Sequence, residues 1–138
     1  MAYDLERFVL AQEGTYEQAR EEVRQGRKTG HWMWWVFPQI AGLGSSATSR
    51  LYAIADLDQA VAYLAHPVLG PRLREMAGVA LEAAPGRSAV DIFGPVDAMK
   101  LRSCMTLFAR ADPSETVFRA VLDRYYGGKE DPATVARL

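Results

Sequence analysis

The sequence predicts an all-α fold, a compact multihelical bundle that forms a single domain over residues 1–138 around a central, mostly buried helix near 95–110. Three observations support this prediction. Apolar residues recur at helical spacing along most of the chain, helix-starting and helix-stopping residues punctuate that pattern, and no alternating β-branched run competes with it. With 138 residues, of which 49% are hydrophobic and 24% charged, the chain has the size and composition of one globular domain.

Two helices are predicted before residue 27. Asp4 is expected to cap the backbone amides of the first helix, and Tyr3 is expected to pack on it as a hydrophobic staple. Thr15 is expected to cap a second, surface helix that ends at Gly26. The segment from about 26 to 50 shows no clear helix, and long irregular segments of compact domains are often functional.

Five helices are predicted after residue 50, with ends that coincide with capping residues, prolines and glycines. They are expected between Asp56 and Pro67, between Pro71 and Pro85, over Pro95–Arg110, between Asp112 and Gly127, and from Asp131 onwards. In the last two, an aspartate followed directly by proline combines an N-cap with a residue suited to the first helical turn.

The helix over Pro95–Arg110 differs from the others because its apolar residues surround the helix axis at about 100° per residue. Val96 and Met99 lie on a different face from Leu101, so we expect neighbours on both sides. Four polar residues, called the polar row, recur at every third position: Asp97, Lys100, Ser103 and Thr106. Each should have a partner, because an unpaired polar group in a core is costly. An ion pair between the first two would either fix the packing or belong to a ligand site.

The segment Gly26–Gln39 has the most unusual composition, because it contains all three tryptophans, one of the two histidines and a basic cluster. Aromatic rings beside cationic groups can pack against a planar ring and hold an anionic group. The residues predicted to bind such a ligand are Arg27, Lys28, Trp32, Trp35, Gln39 and Lys100. The alternative is that the tryptophans are ordinary core residues, which is the more common outcome for large aromatic side chains.

Charge, hydropathy and cysteine count weigh against several classes of protein. Lysine plus arginine totals 16 and aspartate plus glutamate totals 17, so the chain has no excess of positive charge that would attract nucleic acid. No apolar run reaches the roughly 20 residues of a membrane-spanning helix. A single cysteine excludes an intramolecular disulfide, and residues 1–7 lack a signal-peptide pattern, so we expect a cytoplasmic protein. Neither a metal nor a cofactor is indicated, because His31, His66 and Cys104 lack zinc-ligand spacing.

Two further motifs have weaker support. Residues 42–47 match the G-x-G-x-x-A form of a dinucleotide fingerprint, but no clear strand precedes them and no βαβ pattern surrounds them. Ser103 or Cys104 could meet His31 in space as nucleophile and base, although no G-x-S-x-G motif supports this arrangement. Burial as a small core residue is the more common role for such a cysteine.

Several short segments, spread over almost the whole chain, carry a resemblance to a known family. They are Asp4–Phe8 with Gln12, Gly26–Gln39, Gly42–Gly44, Tyr52–Ile54, His66–Gly70, Ile92–Gly94, Lys100–Ser103 and Met105–Phe108. Together they resemble the bacterial family called domain of unknown function 1810, whose members are sometimes mislabelled calpastatin. The combination of residues 31–34 with 37–39 is the most specific, whereas Trp35 and Cys104 depart from the commonest residues of that family.

This resemblance implies a compact, mostly helical single domain and no established reaction, cofactor or catalytic residue. The calpastatin label conflicts with the composition, because that inhibitor is a disordered repeat protein and this chain has a globular composition. A more distant similarity to helical domains that act on ADP-ribose derivatives is an analogy only.

Two hypotheses for the function follow, and they leave open whether the chain is an enzyme. In the first, the chain binds, and in one version hydrolyses, a small nucleotide-like or ADP-ribose-like anionic ligand, with Asp97 and His31 as candidate catalytic residues. His31 and Lys100 would then line one cleft walled by tryptophans. In the second, it is a non-enzymatic protein-interaction domain that presents exposed tryptophans of the same segment. A concave site with buried polar groups favours the ligand, whereas a flat apolar patch favours the partner protein.

Overall fold

The computed structural model describes residues 4–138, and the regular elements among them are α-helices. In chain order they are α1 (Glu6–Gln12), α2 (Tyr16–Arg24), α3 (Met33–Val36), α4 (Ala47–Leu51), α5 (Leu57–Ala65), α6 (Leu69–Glu82), α7 (Ala89–Phe93), α8 (Pro95–Ala111), α9 (Thr116–Tyr126) and α10 (Pro132–Val135). One isolated parallel β-bridge joins Ile40 to Ile54. The predicted all-α fold is therefore confirmed. Within this range, no helix combines the length and the apolar composition needed to cross a membrane.

Helix α8 forms the centre of the fold, as predicted. It packs against α5, α7, α9 and α10, and Leu101, Met105 and Phe108 on it are fully buried. Its first two turns differ from the expectation, because Val96 and Met99 are 65% and 72% exposed. At this end the apolar residues of the second face lie at the molecular surface instead of against a neighbouring helix. The prediction of packing on both sides was therefore wrong for this end of α8.

The caps predicted at Asp56 and Asp131 occupy the expected positions. The Asp56 carboxylate accepts a hydrogen bond from the backbone N–H of Gln59 at 2.8 Å, which satisfies one of the free amides of α5. Asp131 is the N-cap residue of α10, and Pro132 follows at the first helical position. Both helix starts are therefore confirmed, although only the Asp56 carboxylate caps its helix, whereas that of Asp131 accepts from the hydroxyls of Ser103 and Thr134.

Three other expected caps do not form. The residue after Asp4 takes the N-cap position of α1, and no side chain bonds to the helix there. Thr15 is the N-cap residue of α2, but its hydroxyl accepts a hydrogen bond from the Trp35 indole instead of capping the helix. Asp112 bonds within a tight turn, and α9 begins only after that turn. Short polar side chains accept from whichever donor is nearest, and here the nearest donor lies outside the helix. The expected staple by Tyr3 falls outside the described residues.

Three short helices, α3, α4 and α7, lie in segments where the sequence showed no helix, and two of them, α3 and α7, position residues of the site. They have four or five residues each, too few for a hydrophobic period to be visible. The Ser46 hydroxyl caps α4, and Ser88 with Asp91 forms a capping box on α7. The backbone N–H of Lys28 donates to the Ile92 carbonyl at 2.8 Å, which ties the basic loop, residues 27–31, to α7.

Candidate functional site

Two neighbouring cavities lie along the first half of α8. The larger, called the groove, has a volume of about 300 Å³. Its apolar lining consists of Trp34, Leu43, Val96, Met99 and Ala133, and its polar lining of Gln39, Lys100, Arg102, Ser103 and Asp131. The smaller, called the basic recess, has a volume of about 70 Å³ and is lined by Lys28, His31, Met33, Trp34, Asp97 and Lys100. Because Trp34 and Lys100 line both, the two cavities meet at these side chains.

An ion cluster of one carboxylate and two ammonium groups lines the basic recess. Asp97 Oδ2 lies 2.7 Å from Lys28 Nζ, and Asp97 Oδ1 lies 3.1 Å from Lys100 Nζ. The Lys28 side chain is only 6% exposed, and its ammonium group also donates to the Gly30 carbonyl. The expected pairing of Asp97 with Lys100 is confirmed, and Lys28 joins it. Two positive charges against one negative charge leave the cluster with a net positive charge, which favours an anionic ligand.

The same contacts argue against Asp97 as a general base. Burial alone would raise the pKa of this carboxyl group, but hydrogen bonds and charge from Lys28 and Lys100 lower it below its ordinary value. Its place in the first turn of α8 also favours the charged form, because the helix dipole is positive there. A carboxylate with a lowered pKa and both oxygens bonded is a poor acceptor for a substrate proton. Asp97 instead holds the two lysines in place.

His31 and Lys100, which are far apart in sequence, line the same recess. Lys100 Nζ lies 4.0 Å from the centroid of the Trp34 ring, a cation–π distance, while the same ammonium group pairs with Asp97. His31 is exposed and lines the recess, so its imidazole can donate a hydrogen bond to an anion bound there. The cleft walled by a tryptophan is therefore present, with Trp34 as the wall.

The tryptophans that the sequence suggested as walls lie elsewhere. Trp32 is 1% exposed, and its indole N–H donates to Glu22 Oε1 at 3.0 Å. The Trp35 indole N–H donates to Thr15 Oγ1 at 3.0 Å, and its ring packs on Tyr52. Trp32 is a core residue and Trp35 is half-buried against the core, in agreement with the alternative that large aromatics fill cores. The expectation of exposed tryptophans was wrong, since Trp34 and Trp35 are half-buried.

In the structure, the helical turn over residues 32–37 directs the three tryptophan rings to different places. Trp32, Met33, Val36 and Phe37 are all buried and follow the i, i+1, i+4, i+5 spacing of one helix face. Trp34 falls on the opposite side, toward the cavities. Arg27, also predicted to bind the ligand, is exposed and lines neither cavity. Of the predicted binding residues, Lys28, Gln39 and Lys100 line one cavity or both.

Glu22 on α2 organises the basic loop, and the sequence analysis missed it. Its Oε1 accepts hydrogen bonds from the backbone N–H groups of Thr29 and Gly30, each at 2.8 Å, and from the Trp32 indole. Its Oε2 accepts from the Gln18 amide at 2.7 Å. Burial alone would raise the pKa of Glu22, but these hydrogen bonds lower it to about 2. One carboxylate therefore fixes the loop that carries Lys28 and His31.

The hydrogen bonds that Glu22 accepts from the basic loop predict that the stability of the fold depends on pH. The pKa of Glu22 is about 2 in the folded protein, against an ordinary value of 4.5, so its stabilising effect is complete above about pH 4.5 and is lost as the pH falls toward 2. We expect Glu22→Gln to lower the free energy of unfolding most at neutral pH, with the difference from wild type shrinking between about pH 4.5 and 2. Urea unfolding at a series of pH values measures this difference.

Glu82→Gln, at an exposed position at the end of α6, is the control for the Glu22 experiment. It should change the free energy of unfolding by less than about 0.5 kcal/mol throughout, as surface substitutions usually do. A Glu22→Gln effect that is equally small at neutral pH would contradict the role of Glu22 as a loop clamp.

The second half of the polar row faces α10. The Ser103 hydroxyl donates to Asp131 Oδ2 at 2.8 Å, and the Thr134 hydroxyl donates to the same oxygen at 2.6 Å. The Thr106 hydroxyl accepts a hydrogen bond from the backbone N–H of Asp131 at 2.9 Å. Every residue of the polar row thus has a partner, as expected. Together they join the recess, the groove and α10 into one polar strip along α8.

Comparisons with known proteins give the family. The chain matches, over residues 2–138, a family described as protein of unknown function (DUF1810). Its structure is similar to the crystal structure of the conserved hypothetical protein Rv1873 from Mycobacterium tuberculosis, with 54% sequence identity and a TM-score of 0.96, covering 99% of this chain and 96% of that chain. No curated protein matches the chain. The chain therefore belongs to the family of proteins of unknown function DUF1810, as the resemblance of its sequence segments implied.

Proposed function

We propose that the chain binds a small anionic, nucleotide-like ligand where the groove and the basic recess meet. The single observation that carries this proposal is the position of Lys100, which lines both cavities while paired with Asp97 and placed over Trp34. Because Asp97 and the Trp34 ring already hold its ammonium group, the Lys100 side chain loses little conformational entropy when it binds an anion. A preorganised cation beside an aromatic wall is the arrangement that an anionic ligand with a planar ring requires.

The two ends of the ligand would have different neighbours. Anionic oxygens would lie in the recess, where Lys28, Lys100 and His31 supply donors and the cluster has a surplus positive charge. A planar ring would lie in the groove against Trp34 and Met99, where the lining is mostly apolar. Binding is the part of the first hypothesis with support from geometry. Hydrolysis has less support, because the proposed base Asp97 already pairs with two lysines.

The protein-interaction alternative has less support than ligand binding. It requires exposed tryptophans, whereas one tryptophan is buried and the other two are half-buried. The exposed apolar residues near the site, Val96 and Met99, line a concave groove instead of forming a flat patch.

Calorimetric titration with adenosine monophosphate (AMP) and with adenosine tests the proposal. We expect AMP to bind at least about tenfold more tightly than adenosine, because only AMP places charged oxygens in the recess. Lys100→Met should reduce the affinity for AMP by at least about tenfold and change the affinity for adenosine little. Lys129→Met, which removes an exposed lysine outside both cavities, is the matched control and should leave both affinities unchanged. Equal losses from the two lysine variants, or no binding of AMP, would contradict the proposal.

A further inference from the structure

Gln39, a residue of the groove lining, has an unsatisfied polar group. Its side chain lines the groove, yet the residue is only 8% exposed. Within residues 4–138, its amide nitrogen Nε2 is buried and has no hydrogen-bond partner. Its backbone is fixed, because the Ile54 N–H donates to the Gln39 carbonyl at 2.8 Å beside the β-bridge. Most buried polar groups in native proteins are paired, so an orphaned donor in a cavity wall points to an acceptor that a ligand supplies.

Asp131 lines the same groove and is held rigidly. The hydroxyls of Ser103 and Thr134 both donate to Oδ2, and the backbone N–H of Asp131 is bound by Thr106. Backbone N–H groups of Ala133 and Thr134 also favour the charged carboxylate. Because both hydroxyls bond to Oδ2, the other oxygen, Oδ1, has no side-chain donor among the described residues and can accept a hydrogen bond from a ligand. The groove therefore has an oriented acceptor and an unpaired donor on its polar lining.

The charge of Asp131 restricts which group can lie against it. A carboxylate repels a second anion and accepts from hydroxyl groups, and an amide N–H donates to a hydroxyl oxygen. Adjacent sugar hydroxyls meet both requirements, and dinucleotide-binding sites use a carboxylate for a ribose hydroxyl in the same way. The anionic part of the ligand would then stay at the lysine end of the strip.

The spacing along α8 fits one small molecule. Lys100 and Ser103 are three residues apart, which is about 4.5 Å along the helix axis, and Asp97 is about 9 Å from Ser103. A phosphorylated five-carbon sugar has a comparable length. One such molecule can therefore place its phosphate near Lys100 and its hydroxyls near Gln39 and Asp131.

We infer that Gln39 and Asp131 form a subsite for the vicinal diol of a sugar, so that the ligand class narrows to sugar phosphates and ribonucleotides. This inference rests on one part of the proposed function, the binding of the ligand's anionic group near Lys100. It does not depend on the planar ring.

Calorimetric titration with ribose 5-phosphate and 2-deoxyribose 5-phosphate, which differ by one hydroxyl, tests the subsite. We expect ribose 5-phosphate to bind about tenfold more tightly. Gln39→Leu replaces the amide with an apolar side chain of similar size in the buried position. It should remove this preference while leaving the affinity for inorganic phosphate unchanged. Gln25→Leu, which removes an exposed amide outside both cavities, should keep the preference.

The other possible results of these titrations distinguish a failure of the diol subsite from a failure of the proposed function. Equal affinities for the two sugars, or a preference that survives Gln39→Leu, would overturn the diol subsite. If AMP still binds more tightly than adenosine in that case, the proposed function stands and only the subsite fails. If neither sugar phosphate binds, the subsite is overturned, and the AMP titration decides separately whether the anion site exists. Thermal unfolding of Gln39→Leu verifies that the variant is folded.

Discussion

Leu101→Ala is expected to lower the free energy of unfolding by about 2 to 5 kcal/mol. Leu101 is fully buried in the middle of α8, the helix that contacts four others. Truncation removes buried methyl groups and leaves a cavity, because the surrounding helices relax only in part. Urea denaturation should show a lower midpoint with an unchanged slope, since the surface exposed on unfolding stays the same.

Met99→Ala is the matched control on the same helix. Met99 is 72% exposed, so its truncation should change the free energy of unfolding by less than about 0.5 kcal/mol. The contrast between positions only two residues apart tests the placement of α8 directly. A Leu101→Ala effect as small as that of Met99→Ala would show that α8 is not the core helix.

Asp97→Asn is expected to cost about 3 kcal/mol, a typical value when one partner of a buried ion pair is removed. The substitution leaves two ammonium groups facing each other without a carboxylate, and one of them, on Lys28, is 6% exposed. The remaining partners of Lys28 are the Gly30 carbonyl and the Trp32 ring, which do not neutralise its charge. Urea unfolding at neutral pH measures the loss.

The double variant Lys28→Met with Asp97→Asn is the control for this charge effect. It removes the stranded buried cation, so it should be more stable than Asp97→Asn alone. Lys100→Met leaves Asp97 paired with Lys28 and should cost about 1 kcal/mol or less, as partly exposed pairs do. A loss below about 1 kcal/mol for Asp97→Asn would contradict the view that this carboxylate neutralises buried Lys28.

The sequence allowed most long helices to be predicted, because their signals are local. Asp56 and Asp131 cap or begin their helices where expected, and the apolar spacing around Leu101 indicated a buried helix. The errors have a common physical cause. Thr15 accepts from Trp35, which is 20 residues away, and Asp112 accepts from Ser114 in a turn, so neither side chain caps its helix. A helix start cannot be predicted from the capping residue alone where such donors compete with the helix amides.

The candidate site was predictable in part. A polar residue at every third position of a buried helix requires partners, and this reasoning led to Asp97 and Lys100. It did not supply Lys28, which is the closer partner of Asp97, nor Glu22, which fixes the basic loop from another helix. Such contacts join segments that are distant from the row in sequence. The choice of Trp34 over its neighbours also depended on α3, a helix too short to be recognised from its pattern.

The three tryptophans report on whether a ligand binds between the groove and the recess. Their indole N–H signals are separate probes in a ¹H–¹⁵N correlation spectrum, and Trp34→Phe identifies the signal of Trp34. During titration with AMP, we expect the Trp34 signal to move to a plateau, because its ring lines both cavities. The signals of Trp32 and Trp35, whose N–H groups are bound to Glu22 and Thr15 outside both cavities, should move little. A Trp34 signal that stays fixed while AMP is added in excess would contradict ligand binding at this site.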